Sequence, residues 1–176
     1  ALEFEPFATP KVIEDKCVGC GACQLVCPHH AIQVKGFEFE AVLKRYCEKA
    51  KQLKESGKGP SILAFICQWS EFSTLDNPQK AFEGKNVIAL EVPCFKSLDP
   101  VHIVNALSCG FDGVMAVMCS SKDCKLQEGR DTAERNLNVT LDVLKKNGLL
   151  ERFEFYEESP RCEGEFQQKM GVFQQK

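Results

Sequence analysis

The chain has 176 residues, of which 44% are hydrophobic, and its formal net charge is −3. Basic and acidic residues are interspersed without a basic stripe, which argues against a nucleic-acid partner, and the longest apolar runs are too short to span a membrane. Eleven cysteines are the strongest compositional signal. In a chain of this length without a secretory signal, they indicate metal binding or redox chemistry, so we expect a cytoplasmic protein of an anaerobic or oxygen-protected cell.

The first predicted unit, residues 1–56, contains an extended lead-in, a cysteine-rich loop and a helix. The loop reads CVGCGACQLVCP. Four cysteines at this spacing that end in Cys-Pro are typical of a ferredoxin, so we predict a [4Fe–4S] cluster held by Cys17, Cys20 and Cys23. A zinc knuckle is the alternative. Glycines at positions 19 and 21 let the backbone wrap around such a cluster.

The fourth ligand of this cluster stays open from the spacing alone. In tandem ferredoxins the fourth cysteine ligates the other cluster, yet the chain contains no second loop of this kind. The ligand is then Cys27 itself or Cys47 on the following helix. A third possibility is that Cys27 completes a cluster on a partner protein or on an upstream segment. We favour one cluster held by the four local cysteines, which include Cys27.

The rest of the first unit is predicted from its periodicity. Ile32 and Val34 alternate with polar residues, which indicates a short strand. In residues 37–56 apolar side chains recur near helical spacing, with charged side chains between them. This pattern predicts an amphipathic helix. The stretch SGKGP follows this helix, and we place the domain boundary there, before residue 61.

Residues 61–176 alternate predicted strands with predicted helices. The strands are SILAFIC, NVIALEVPC, GVMAVMC and RFEFYEE. One helix has Asp99 as its cap, Pro100 at its start and Gly110 as its stop, and a longer helix covers 130–148. Continuous apolar strands separated by helices predict an α/β fold with a mostly parallel sheet covered by helices on both faces.

Three cysteines lie at the ends of successive predicted strands, namely Cys67, Cys94 and Cys119, and Cys124 follows in the loop after the third. Because ligands bind beyond the carboxyl ends of parallel strands, we expect these four thiols at one edge of the sheet. Such a set suits a [2Fe–2S] cluster or a zinc ion. Inert buried thiols are the alternative, since free cysteine is among the most buried residue types.

The stretches FICQWSE, LEVPCFKSLDP, GFDGVMAVMCSSKDCKLQEG and TAERNLNVTLDVLKKNGL resemble the delta subunit of methyl-viologen-reducing hydrogenase. The resemblance implies an α/β domain with a [2Fe–2S] cluster that passes electrons to the flavin-containing heterodisulfide reductase A protein. Cys67 and Trp69 match the family's Cys-x-Trp-Cys motif, whose second cysteine is replaced by Ser70. The remaining family cysteines match Cys94, Cys119 and Cys124.

The stretch CVGCGACQLVCPHHAIQVKGFEFEAVLKRY resembles the last ferredoxin segment and trailing helix of heterodisulfide reductase A. It is also similar to the equivalent region of the quinone-interacting oxidoreductase B protein. Together the resemblances imply an electron-transfer subunit that links a heterodisulfide reductase A-like flavoprotein to another redox module in a large anaerobic oxidoreductase complex.

We expect no catalytic site on this chain, because it has no nucleotide-binding fingerprint and no catalytic constellation. One alternative function is an interaction module whose fold is stabilised by zinc or by a cluster. The other is a small thiol reductase that uses Cys119 or Cys124. The spacing of these two cysteines is not the redox Cys-x-x-Cys, which argues against the reductase.

We expect Cys109 and Cys162 to be structural or free thiols, with a redox role as the alternative. We expect His29 and His30 to be exposed, with tuning of the cluster as the alternative, and His102 to be packed or solvated and not a ligand. Trp69 either shields the cluster or caps the sheet edge. The expected contact surface for a partner comprises Trp69, Phe95 and the helix that begins near Phe37, because aromatic residues are favoured in interface cores.

Overall fold

The computed structural model describes residues 1–29, 31–57, 59–68, 70, 78–158, 165–173 and 175. The strands are β1 (Leu2–Glu3), β2 (Lys11–Val12), β3 (Ile62–Cys67), β4 (Val87–Val92), β5 (Gly113–Cys119) and β6 (Phe153–Glu158). The helices are α1 (Ala22–Val26), α2 (Phe39–Glu55), α3 (Pro100–Ser108), α4 (Gln127–Lys146) and α5 (Glu165–Phe173). Short 3₁₀ turns cover Glu14–Lys16, Pro78–Phe82, Phe95–Ser97 and Leu150–Arg152.

The four longer strands form one parallel sheet in the order β4-β3-β5-β6. All four correspond to predicted strands. In the register of the sheet, Cys67 lies opposite Val92 on β4, and Ile66 lies opposite Val117 on β5. The apolar runs are continuous because both faces of the sheet are covered. The predicted α/β class, with a parallel sheet between helices, is therefore confirmed.

One face of the sheet packs against α2, α3 and α4. Leu63 and Phe65 of β3 point to this face and share a buried core with apolar residues of the three helices. The buried helix residues are Val42, Tyr46, Ala50, Ile103, Ala106, Leu107, Ala133 and Leu144. Burial of an apolar stripe on each helix holds the layer on the sheet.

The opposite face packs against α5 and the turn that ends at Phe82. Its core contains Met170 and Phe173 of α5, which meet Ile62, Ala64 and Met115 on the strands. A side chain at Gly113 would not fit, because a Cβ atom there would lie 2.9 Å from Cζ of Phe173. The helix α5 was not predicted, since its sequence is short and rich in glutamine, although its buried Met170 and Phe173 complete this face.

The start and the stop of α3 agree with the prediction. The carboxylate of Asp99 accepts hydrogen bonds from the backbone N–H groups of Val101 (2.9 Å) and His102 (3.2 Å). Pro100 occupies the first helical position, and Gly110 follows the helix with φ +109°. The imidazole of His102 is buried, with Nδ1 2.8 Å from Asp99 Oδ1, so of the two environments expected for this histidine, packed or solvated, the structure shows the packed one.

The helix α2 packs against α3, and a disulfide links α2 to the residue that follows α3. The ring of Phe37, just before α2, stacks on His102 with the centroids 6.4 Å apart. Farther along, Cys47 forms a disulfide with Cys109, and their Cα atoms are 4.6 Å apart. The helix before the predicted domain boundary therefore shares a core with the sheet that follows it, and the boundary itself stays a prediction.

Two local predictions were wrong. Residues Ile32–Val34 form no strand, because the side chain of Gln24 takes the place of a strand partner: its Oε1 accepts from Val34 N at 2.7 Å, and its Nε2 donates to Phe37 O at 3.1 Å. In addition, α4 begins at Gln127, earlier than the predicted start at 130.

The helices in the described ranges vary in length from 5 residues for α1 to 20 residues for α4. Each of them is too short or too polar to cross a membrane.

Candidate metal centres

Three of the predicted cysteines lie at the carboxyl edge of the sheet. Cys67 is the last residue of β3, Cys119 is the last residue of β5, and Cys94 follows the end of β4 by two residues. Because β3 lies between β4 and β5, the three positions are adjacent in space. Their side chains are buried, with exposed fractions of 1%, 5% and 6% for Cys67, Cys94 and Cys119.

The thiols of this edge interact with one another, and Cys124 belongs to the same group. Hydrogen bonding with Cys67, burial and the adjacent thiols of Cys67 and Cys124 raise the pKa of Cys119 far above its ordinary value. Burial raises the pKa of Cys94 to about 11, and Cys67 and Cys124 add to this increase. Cys94 and Cys119 therefore stay protonated at neutral pH unless a cation replaces their protons.

A tight turn after β5 brings Cys124 back toward the edge. The backbone N–H of Asp123 donates to Ser120 O at 3.0 Å, and the N–H of Lys122 donates to Ser120 Oγ at 3.3 Å. The Cys124 thiol is half-buried and lies 3.3 Å from Leu126 O, to which it donates. This turn places the thiol of Cys124 beside the three other thiols at the carboxyl edge of the sheet.

Ser97 fixes the segment that carries Cys94. Its backbone N–H and its hydroxyl both donate to Cys94 O, at 2.9 Å and 2.6 Å. The backbone N–H of Lys96 also hydrogen-bonds Cys94, and this bond acts against burial by lowering the pKa of the thiol. One short turn thus holds the position of Cys94 and stabilises its thiolate.

Arg130 is a residue of this edge that the sequence analysis missed. From the first turns of α4, its Nη1 donates to Cys119 O at 3.2 Å. Its Nε donates to Glu134 Oε1 at 2.7 Å, and its Nη2 donates to Glu157 near the end of β6. The side chain is 13% exposed. The only sequence signal was the spacing of Arg130 and Glu134, which suits an ion pair on a helix.

Ser70 closes the turn that follows Cys67. Its backbone N–H donates to Cys67 O at 2.9 Å, and its side chain is fully buried. Within the described part of the chain, its hydroxyl has no hydrogen-bond partner. Trp69, which was predicted to shield the site or cap the sheet edge, lies outside the described residues.

The second cysteine group lies on the N-terminal loop. Cys17 is exposed, whereas Cys20, Cys23 and Cys27 are half-buried. Gly19 and Gly21 adopt left-handed φ angles of +65° and +77°, so both glycines permit the turns that were predicted for this loop. The backbone N–H of Ala31 donates to Cys27 Sγ at 3.4 Å, a contact that stabilises a thiolate.

The two cysteine groups approach each other through Gly21 and Ser97. A Cβ atom at Gly21 would lie 2.8 Å from Ser97 Cβ, so the loop rests directly on the turn that holds Cys94. Gly21 lies between Cys20 and Cys23 in the sequence. The loop of one group is therefore in van der Waals contact with the supporting turn of the other.

Cys47, the alternative fourth ligand of the N-terminal loop, is not among the free thiols. Its sulfur is bonded to Cys109. Cys109 follows α3 at the amino end of β5, whereas Cys119 ends the same strand. The disulfide thus lies toward the end of the sheet opposite the four gathered thiols. Cys162 and His30 fall outside the described residues, and His29 is exposed as predicted.

The described residues contain no group of three or more His, Cys, Asp or Glu side chains arranged around a single metal ion. An iron–sulfur cluster distributes its four thiolates over two or four iron atoms, so it needs four separate attachment points and not one point of convergence. Both cysteine groups consist of soft sulfur donors, which suit such clusters. The donor chemistry of both groups therefore fits an iron–sulfur cluster.

The prediction of a contact surface at Phe95 is wrong, and Phe37, near the start of the helix that was predicted to belong to this surface, is also buried. Phe37 and Phe95 are 4% and 8% exposed, because both pack into the core beside α3. Exposed apolar side chains are concentrated elsewhere. The first 26 residues carry five of the eight large ones in the described ranges, namely Phe4, Phe7, Val12, Val18 and Val26.

Comparison with protein families gives two matches. A family described as methyl-viologen-reducing hydrogenase, delta subunit, matches residues 62–176, which is more than half of the chain. A 4Fe-4S binding domain matches residues 10–33, the region of the N-terminal loop. The two matches thus cover the two cysteine groups separately.

The chain is also similar to curated proteins of archaea. It is 29% identical to the A subunit of ferredoxin:CoB-CoM heterodisulfide reductase from Methanosarcina mazei, over 84% of this chain and 22% of the relative. It is 29% identical to the iron-sulfur D subunit of F420-non-reducing hydrogenase from Archaeoglobus profundus, over 51% of this chain and 67% of the relative. The chain therefore spans about a fifth of the reductase relative and two thirds of the hydrogenase relative.

Proposed function

The chain belongs to the family of the methyl-viologen-reducing hydrogenase delta subunit, and on that premise we propose that it is an iron–sulfur electron-transfer subunit. Its [4Fe–4S] site consists of Cys17, Cys20, Cys23 and Cys27. Its [2Fe–2S] site consists of Cys67, Cys94, Cys119 and Cys124. The observation that carries the proposal is the gathering of these last four thiols at one edge of the parallel sheet.

The raised pKa values of Cys94 and Cys119 bear on the choice between a metal site and a thiol reductase. Burial and contact with neighbouring thiols keep Cys94 and Cys119 protonated. A protonated thiol is a poor nucleophile, which argues against the thiol reductase alternative. Iron cations favour the thiolate forms and remove the repulsion among them. A bound iron–sulfur cluster supplies a one-electron carrier whose potential depends on hydrogen bonds to sulfur and on exposure to water.

The residues around the edge orient the ligands. Ser97 holds the backbone of Cys94, and Arg130 holds the backbone of Cys119. The N–H of Lys96 stabilises the thiolate of Cys94. In this way these ligand positions are set before iron is bound, which limits rearrangement when the charge of the site changes.

Cys27 is the best fourth ligand for the [4Fe–4S] site. It lies on the same loop as the other three cysteines, and its sulfur already accepts an N–H from Ala31. Cys47, the competing residue, is bonded to Cys109.

We further propose that the two sites act in series. The contact between Gly21 and Ser97 brings the [4Fe–4S] loop against the turn that carries Cys94. An electron that enters at one site therefore has a short path through packed atoms to the other. In this proposal no substrate site lies between the two cluster sites, and the chain transfers electrons within a larger complex.

The expected partners follow from the relatives and from the exposed N-terminal surface. One partner is a flavoprotein similar to the A subunit of heterodisulfide reductase, and the other is a hydrogenase, a dehydrogenase or another iron–sulfur protein. We assign the surface for the flavoprotein to the first 26 residues, because they carry most of the large apolar side chains that are exposed in the described ranges. We place the complex in the cytoplasm of an anaerobic cell.

The test is anaerobic purification of the chain, followed by electron paramagnetic resonance of the reduced protein. Cys119→Ala should remove a [2Fe–2S] signal and spare a [4Fe–4S] signal, whereas Cys20→Ala should do the reverse. Cys109→Ala is the control, because this cysteine lies near the opposite end of the sheet. Stoichiometric zinc without sulfide would support the interaction module instead, and loss of the [2Fe–2S] signal alone in Cys109→Ala would contradict the assignment.

A further inference from the structure

Ser70 combines two features that the ligand assignment does not use. Its side chain is fully buried, and its hydroxyl lacks a hydrogen-bond partner within the described residues. Its backbone N–H donates to the carbonyl of Cys67 at 2.9 Å. The hydroxyl is thus located on the first turn after a residue of the [2Fe–2S] site.

A buried hydroxyl without a partner is unfavourable, because the loss of its hydrogen bonds to water is not compensated. Most buried polar side chains in native proteins have a partner for this reason. Ser70 follows Cys67 by three residues, and the thiol of Cys67 interacts with that of Cys119, so sulfur atoms are among the acceptors at this edge. A sulfur atom with negative charge is a far better acceptor than a neutral thiol.

We propose that the Ser70 hydroxyl donates a hydrogen bond to a sulfur atom of the [2Fe–2S] site and raises its reduction potential. Ser70 is a positioning residue in this proposal, because four cysteines already supply the ligands. The inference rests on the proposed function. Reduction adds negative charge to the site, and a hydrogen-bond donor stabilises that charge, so the potential rises.

The test uses the anaerobically purified full chain with its clusters. The midpoint potential of the [2Fe–2S] signal is measured by redox titration, and the coupling of exchangeable deuterons is measured by pulsed electron paramagnetic resonance in D₂O. Ser70→Ala should lower the potential and remove one exchangeable coupling. Ser61→Ala is the matched control, because this serine is also fully buried but its hydroxyl donates to Asp112 Oδ2 at 2.8 Å, before the start of β3 and not at the cysteine edge.

A second pair of variants separates the hydroxyl from the space that it fills. Threonine and valine have nearly the same shape and differ by the hydroxyl. Ser70→Thr should therefore keep the exchangeable coupling and a higher potential than Ser70→Val, even where both variants bind less iron. Equal potentials and equal couplings in the two variants would overturn the inference. Absence of any [2Fe–2S] signal in the unmodified chain would instead overturn the proposed function, on which the inference depends.

Discussion

Gly21 lies directly against Ser97, so that a Cβ atom at position 21 would be 2.8 Å from the Cβ of the serine. Ser97 in turn donates two hydrogen bonds to the carbonyl of Cys94. The glycine belongs to the N-terminal cysteine loop, and Cys94 belongs to the group at the sheet edge. This contact therefore joins the loop of one cysteine group to the turn that supports the other.

Substitution of Gly21 by alanine should separate the groups. The new methyl group meets Ser97 inside the normal contact distance, and the left-handed φ of +77° adds strain. We expect a loss of stability of more than about 1 kcal/mol, together with a weaker magnetic interaction between the two reduced clusters. Thermal unfolding and electron paramagnetic resonance under anaerobic conditions measure the two effects.

Gly19 provides the matched control for this substitution. It has a similar left-handed φ of +65°, yet a Cβ atom there would meet nothing within 4 Å. Gly19→Ala should therefore show the backbone strain alone and leave the magnetic interaction unchanged. The double variant with Gly21→Ala and Ser97→Gly should return toward the behaviour of Gly19→Ala. If Gly19→Ala and Gly21→Ala behave alike, the contact has no role in spacing the groups.

Replacement of Arg130 should disturb the Cys119 end of β5. Arg130→Gln removes the donor to Cys119 O and leaves the carboxylates of Glu134 and Glu157 without their shared partner. We expect a loss of about 1–3 kcal/mol and a lower yield of the [2Fe–2S] signal, measured by thermal unfolding and spin quantification. Glu134→Gln is the control, because it keeps the bond to Cys119. Equal signal loss in both variants would show that Arg130 does not position this ligand.

The disulfide between Cys47 and Cys109 should contribute stability without a role in metal binding. It closes a loop with a sequence separation of 62 residues. Cross-links of this kind typically contribute about 2–4 kcal/mol. Cys47→Ser, Cys109→Ser and the double variant should be destabilised equally, since each removes the same bond, and thermal unfolding measures this. Loss of the [4Fe–4S] signal in Cys47→Ser alone would instead identify Cys47 as a ligand.

The exposed apolar side chains near the N-terminal loop should contribute to partner binding. Phe7→Ser and Val26→Ser remove apolar side chains that are strongly exposed, and Val26 precedes Cys27 directly. We expect both variants to recover less of a flavin-containing protein in affinity purification from the native host. Val139→Ser is the control, because this valine is 54% exposed on α4, away from the loop. Equal recovery from all three variants would place the interface elsewhere.

The sheet and its cysteine edge could be predicted because the relevant signals are local in sequence. Continuous apolar strands, such as the one that ends at Cys67, indicate a sheet covered on both faces, and the cysteines follow at the carboxyl ends. The family assignment is confirmed by the match over residues 62–176. The capping of α3 was equally local, since Asp99 and Pro100 define the helix start by themselves.

The contacts that organise the site were not predictable, because they depend on distant pairs. Arg130 reaches Cys119 only after α4 has packed beside the sheet. Gln24 replaces a strand partner for Val34. Phe95 was expected at a contact surface but fills the core beside α3, together with Phe37. Each of these outcomes follows from tertiary packing, about which periodicity carries no information.

The most direct test of the account is the measurement of iron and acid-labile sulfide per chain in anaerobically purified protein, combined with Mössbauer spectroscopy of a ⁵⁷Fe-labelled sample. The account predicts the iron of one [4Fe–4S] and one [2Fe–2S] cluster per chain, with sulfide equal to iron. Cys94→Ala should then lower the iron by the content of the [2Fe–2S] cluster and leave the spectrum of the other cluster unchanged. Iron sufficient for the [4Fe–4S] cluster alone, with no change in Cys94→Ala, would contradict the claim that the gathered thiols hold a cluster.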